Sequence, residues 1–208
     1  MFRSHSAASL GALVLILSLT ACTGGGEPAP APTSAPTSAA SSSGLGADAA
    51  ALLAEFDIPA PANVKDLIEQ LQAKPLAERP DGLMASVRVD ELLLSSGDDE
   101  VALAIPTGDF HLSVAPYLND THDCFFHSLT TCVGELASEE LQVTITDDAS
   151  NEVYLDDTVT TFENGFFDVW LPSGRDLTMR ITDGENTAEV PVGTGAEDPT
   201  CVTTVQLS

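Results

Sequence analysis

From Val87 to the C-terminus, apolar residues fall at every second position in short runs broken by turn residues. This alternation most narrows what the chain can fold into. Val87 and Val89 alternate with Ser86, Arg88 and Asp90; Val101, Leu103 and Ile105 with Ala102 and Ala104; Leu141, Val143 and Ile145 with Gln142, Thr144 and Thr146. A period of two is the mark of a half-buried strand. Ser95 to Glu100 reads as a hairpin loop, and Phe110-Leu112-Val114 as a strand with His111 on its wetter face, where it reads as a solvated histidine. Further runs at Val153-Tyr154-Leu155, Phe166 to Leu171, Leu177-Met179-Ile181 and Val190-Val192 are separated by Asn164-Gly165, Ser173-Gly174 and Asp183-Gly184. Such pairs close antiparallel turns. Trp170, in one of these runs, is expected in the core.

Before Pro80-Asp81-Gly82 the period is helical. Asp48 is the expected N-cap of a first helix carrying Ala51, Leu52 and Phe56. Asn63 caps a second, in which Val64, Leu67, Ile68 and Leu71 make one apolar stripe. Helices this short are marginal alone, so the stripe must pack on the following sheet or on a second subunit in a homodimer. The expected fold is α+β and mainly β: short N-terminal helices packed on a small sheet, followed by an antiparallel β-sandwich-like C-terminal domain. The predicted boundaries are residues 47–135 and 136–208.

The N-terminus reads as an export signal over residues 1–21, with Arg3 as its charge and Leu10 to Leu19 as its apolar stretch. Leu19-Thr20-Ala21-Cys22 resembles a bacterial lipobox, which makes Cys22 the expected lipidation site and a membrane anchor. Residues 22–46 are nearly all Gly, Pro, Ala, Ser and Thr and predict a disordered tether, with a reach of roughly 25–30 Å. The protein is thus expected outside the cytoplasm, on the outer face of the cytoplasmic membrane or in the cell envelope.

A net charge of -25 repels nucleic acid, so cations are the natural partners. With Cys22 acylated, only Cys124, Cys132 and Cys201 keep thiols. An odd count in an exported chain points to intermolecular pairing, redox chemistry or a metal. Cys124 and Cys132 lie with seven residues between them in Thr121 to Glu135, beside His122, Asp123 and His127. Cys201 opens a final strand in which positions 201, 203, 205 and 207 share a face, inward if Val205 and Leu207 are inward.

Thiolates select Cu(I) and Zn(II). Three thiolates suit Cu(I) without a fourth donor, whereas structural zinc asks for four and would draw on His122 or His127. The Cys124 to Cys132 spacing is wider than a zinc knuckle. A disulfide from Cys124 to Cys132 or to Cys201 is the plain alternative. A pair of thiolates can also reduce Cu(II) as it becomes a disulfide. The chain carries no nucleophile elbow, phosphate loop or His-Glu-x-x-His.

Ala115-Pro116-Tyr117, the whole Thr121 to Glu135 segment, Asn164-Gly165-Phe166, Trp170-Leu171-Pro172 and Thr200-Cys201-Val202-Thr203-Thr204 resemble the CueP family of periplasmic and lipoprotein copper-binding proteins. The resemblance implies copper bound by Cys124, Cys132 and Cys201, reduction of Cu(II) to Cu(I), and, in Gram-negative members, supply of copper to an exported Cu,Zn superoxide dismutase. His122 and His127 are accessory ligand candidates. The expected function is therefore an exported copper-binding lipoprotein that takes copper as Cu(I), for copper tolerance or delivery to an extracytoplasmic acceptor. A thiol-disulfide or metal reductase and a disulfide-stabilised envelope module are the rivals.

Overall fold

The computed structural model describes residues 44–208. The export signal, Cys22 and most of the tether lie outside the described residues. Two helices come first, α1 (Ala47–Ala54) and α2 (Val64–Gln72), then a 3-10 turn at Leu76–Glu78. The strands are β1 (Met84–Val87), β2 (Glu91–Ser96), β3 (Asp99–Ala104), β4 (Asp109–Val114), β5 (His127–Ser128), β6 (Glu140–Asp147), β7 (Val153–Thr160), β8 (Phe167–Pro172), β9 (Asp176–Thr182), β10 (Thr187–Gly193) and β11 (Cys201–Val202). Among the described residues no helix is long and apolar enough to cross a membrane.

The α+β, mainly β class read from the sequence is the class observed. Three sheets form, in the orders β3-β2-β1-β5, β10-β9-β6-β7 and β11-β4-β8. The helices lie on the first: Leu52, Leu53, Leu67, Ile68 and Leu71 share a core with Ala85, Val87, Leu92, Leu94 and Leu103. The other two share a second core, built from Phe110, Leu112 and Val114 of β4, the odd positions 141–145 of β6, and Leu177, Met179 and Ile181 of β9. Alternation thus does what the pleat requires, sending every second residue into one interior.

Helix α2 begins as its sequence dictates, with the Asn63 side chain accepting the Asp66 N–H at 3.0 Å. Helix α1 does not: Gly46, at φ 86, is the N-cap, and Asp48 sits inside the first turn. There the carboxylate still faces the positive end of the helix dipole, so the residue type fits although its position is shifted.

The expected loop from Ser95 to Glu100 is instead strand on both sides of a tight turn, with Ser95 paired to Glu100 and Ser96 to Asp99. These residues are polar because β3 is an edge strand with most of its side chains exposed, not because the chain is irregular.

His111 is likewise not on a wet face; it is 1% exposed. β4 lies between β8 and β11, and both of its faces are covered. The imidazole sits edge-on to Trp170, with ring centroids 4.7 Å apart, and its Nε2 is 3.3 Å from Asp168 Oδ2. Trp170 itself is partly buried, packed on the helix core with Lys65 over its ring.

The final strand is shorter than its sequence pattern. Only Cys201 and Val202 join the regular ladder, parallel to β4. The chain beyond stays extended along the continuation of β4, where Tyr117 N–H donates to Val205 and Leu207 N–H to Tyr117, both at 2.9 Å. The inward parity holds throughout, with Cys201, Thr203, Val205 and Leu207 all buried.

Candidate metal centre

Thr121 to Glu135 leaves the sheet after β4 and returns before β6, and its ends are tied together by one carboxylate. Glu135 accepts the backbone N–H groups of Leu118, Asn119 and Asp120 at 2.7, 2.9 and 3.3 Å and the Asn119 amide at 3.0 Å. The Asn119 N–H, the Asn119 side chain and the Leu118 N–H together hold its pKa down to about 2. Just before it, Gly134 donates to the Asn164 carbonyl at 2.6 Å. Gly165, at φ +79, approaches so closely that a Cβ there would stand 2.6 Å from the Gly134 carbonyl carbon. The Asn164-Gly165 turn is therefore a backbone support for the loop as well as a connection between strands.

The middle of the loop is fastened to the segment carrying Cys201. Thr121 Oγ1 donates to the Thr203 carbonyl and Thr203 Oγ1 to the His122 carbonyl, each at 2.6 Å. Cys201 N–H donates to the Phe125 carbonyl at 3.1 Å, and His127 N–H to Thr200 Oγ1 at 3.2 Å. Thr200 Oγ1 in turn donates to Val87, across from which β5 pairs with β1. Arg79 reaches in from behind and donates to the Cys132 carbonyl at 2.8 Å.

These fastenings bring all three cysteines together. Cys124 and Cys201 form a disulfide with Cα atoms 5.6 Å apart, although 77 residues separate them. The free thiol, Cys132, lies 3.7 Å from Cys124 Sγ and accepts the Ser128 N–H at 3.4 Å. Both candidate histidines arrive at the same place. Ligand atoms of His122, Cys124 and Cys132 lie within 4.8 Å of one another, as do those of His127, Cys132 and Cys201. His127 Nδ1 is 3.7 Å from Cys201 Sγ. Asp123 joins neither group and is exposed.

The two groups differ in depth. His127 and Cys201 are at the buried floor, 0% and 1% exposed, whereas His122 and Cys132 line an open cleft of about 590 Å³. Burial lowers the His127 pKa to about 3, so its imidazole is neutral. Burial also raises the Cys132 pKa, opposed by the Ser128 N–H and the Arg79 guanidinium. Soft sulfur and neutral imidazole nitrogen within 4.8 Å of one another, as in the inner group, can hold a thiophilic cation.

Residue type and spacing do not single out Gln72, Arg79, Asn164 or Asp168 as site residues. Gln72 carried one signal: it falls four residues after Ile68, on the buried stripe of α2, where a polar side chain needs a partner. The partner is His127, whose Nε2 lies 3.0 Å from Gln72 Oε1.

A family model described as "Periplasmic copper-binding protein CueP" matches residues 66–206. The solved structure titled "Crystal Structure of S.CueP" is 31% identical, covers 78% of this chain and 99% of its own, and superposes with a TM-score of 0.71. No curated protein matches the sequence.

The depressed pKa of His127 has a consequence for stability. Unfolding returns its ring to water and an ordinary value of about 6.5, so the unfolded chain takes up the proton first. The contribution is complete above about pH 6.5 and is lost as pH falls towards about 3, at about 1.4 kcal/mol per pH unit. Urea unfolding between about pH 6 and 5, where Glu135 stays ionised, should show this slope in the wild type but not in His127→Gln. A difference between the two proteins that is flat with pH would contradict it.

Proposed function

The chain belongs to the CueP family, and on that premise we propose that it captures copper as Cu(I) through Cys124, Cys132 and Cys201, with His127 and His122 as nitrogen donors. The observation that carries this reading is the meeting of three sulfur atoms and two imidazoles in two adjoining groups that share Cys132, from segments far apart in sequence. Thiolates are soft and neutral imidazole is compatible with them, which suits a d10 cation; a Cys3His set also meets the needs of zinc, the alternative cargo. The cleft on the His122 side is the route by which an ion reaches the sulfurs. The chain buffers the copper or passes it to an extracytoplasmic acceptor.

With Cys124 and Cys201 joined, Cys132 alone can offer a thiolate. Full Cu(I) binding by three sulfurs therefore follows two-electron reduction of that bond. In the opposite direction, the Cys124 and Cys201 thiolates meet two Cu(II) ions. Each sulfur gives up one electron, the S–S bond forms, two Cu(I) ions result, and any thiol protons pass to solvent. Repetition needs an external dithiol to restore the pair. Without one the reaction is stoichiometric, which separates a binding protein from a reductase.

Anaerobic titration of the fully reduced protein with Cu(I), against a competing chelator, should show stoichiometric binding that is lost when Cys124, Cys132 and Cys201 are all replaced by Ser. Binding that survives the triple substitution overturns the reading. Adding Cu(II) to reduced protein without other reductant should yield two Cu(I) for each disulfide formed and then stop. Continued turnover on addition of a dithiol would favour the reductase. Disulfide formation without Cu(I) would favour the stapled module.

We also propose that Cys22 is lipidated and that residues 22–46 hold the copper-binding region off the membrane surface. The mature protein should partition with membranes and have an acylated Cys22 as its first residue by mass spectrometry. A soluble, unacylated mature chain would refute the anchor.

A further inference from the structure

We infer that Gln72 is a positioning residue of the metal centre: it fixes His127 as the Nε2–H tautomer and turns a bare Nδ1 lone pair towards the sulfur cluster. The ligand role of that lone pair rests on the copper reading above. The tautomer itself follows from the hydrogen bonds and the full burial of the ring.

Gln72 is 1% exposed, at the end of α2, and each atom of its amide has a defined neighbour. Its Nε2 donates to Asp168 Oδ1 at 3.0 Å. Its Oε1 accepts the Asn164 amide at 3.3 Å and faces His127 Nε2 at 3.0 Å. Asn164 has no freedom to reverse these roles, because its own Oδ1 accepts the Phe166 backbone N–H at 3.1 Å, leaving Nδ2 to point at Gln72. The other Asp168 oxygen is engaged by His111 Nε2 at 3.3 Å. Flipping the Gln72 amide would put its NH2 group against the Asn164 NH2 and its carbonyl against a carboxylate, turning two attractions into repulsions.

The orientation of Gln72 is thus set from two sides, by a backbone N–H through Asn164 and by a carboxylate. A carbonyl oxygen can only accept, so the His127 nitrogen facing it carries the proton. A neutral imidazole has one ring proton, and Nδ1 is left with a lone pair. That nitrogen lies 3.7 Å from Cys201 Sγ, and Phe166 packs on the ring with centroids 4.4 Å apart. The network explains why a helix packed on the first sheet ends in a buried amide: the outer partner of a ligating histidine fixes both its tautomer and its ring plane.

Long-range proton–nitrogen correlation spectra of the reduced, metal-free protein, labelled with 15N-histidine, report which His127 nitrogen is protonated. The expected result is Nε2–H in the wild type. Gln72→Met keeps the volume and removes the acceptor; the His127 signals should then shift towards the other tautomer. Cu(I) affinity should fall by about 10- to 100-fold with stoichiometry unchanged. Gln72→Glu combined with Asp168→Asn, which keeps an oxygen facing the ring and exchanges amide and carboxylate across the second bond, should restore both. A wild-type spectrum with Nδ1 protonated overturns the inference, and so does a folded Gln72→Met protein with unchanged tautomer and affinity. If Gln72→Met does not fold, the wild-type spectrum decides. Nε2–H together with no uptake of Cu(I) by the wild type overturns the copper reading and the ligand role, but leaves the tautomer assignment standing.

Discussion

The whole centre depends on the parallel pairing of β11 with β4. A parallel neighbour cannot be reached by a hairpin, so the chain must leave β4, build the cysteine loop and β6 to β10, and return in the same direction. The return puts Cys201 opposite Ser113, at the depth where the loop turns back over the sheet. Thr200 and Thr203 then spend their hydroxyls on the backbone of other segments, Val87 and His122. Such bonds, buried or partly buried, are worth more as constraints than as net stability, because a partner withdrawn leaves a polar group in a low dielectric. The result is a sulfur position fixed by two sheets and a loop at once.

Much of this architecture can be read from alternation and capping. Asn63, the stripe of α2 and the inward parity of Cys201 were all legible because each follows from a local periodicity. What local pattern could not supply is the burial of His111. Its strand looks amphipathic, with Phe110, Leu112 and Val114 on one side, yet β4 is central and the histidine side is also covered. Solvation of a strand face depends on what packs over it, here Trp170 and the helix core it joins, a tertiary property rather than one of the strand. The polar edge of β2 and β3 differs in the opposite sense: its composition suggests loop although it is paired strand, because exposure and irregularity share a composition.

The convergence of Cys124, Cys132, Cys201, His122 and His127 was only partly legible. Spacing gave the loop thiols and strand parity gave the direction of the third, whereas the distance between them is a tertiary fact. The supporting residues were less visible still. Arg79, Asn164 and Asp168 act from a turn or a strand, with no periodic signature. Gln72 differs, because a polar residue on an otherwise apolar stripe is a local anomaly with a tertiary cause.

Cys132 belongs to both groups of potential ligands, the outer one with His122 and Cys124 and the inner one with His127 and Cys201. It is also the thiol left free when the other two are joined. Oxidation therefore reduces each group by a single sulfur and leaves one thiol between two imidazoles, an arrangement that still offers three donors at two depths. The Arg79 bond to the Cys132 carbonyl and the Gly134–Gly165 contact hold that shared thiol in place from behind, so its position depends on backbone contacts that are separate from the disulfide. Of the three sulfurs brought together here, Cys132 is the one whose placement does not rely on the Cys124–Cys201 bond.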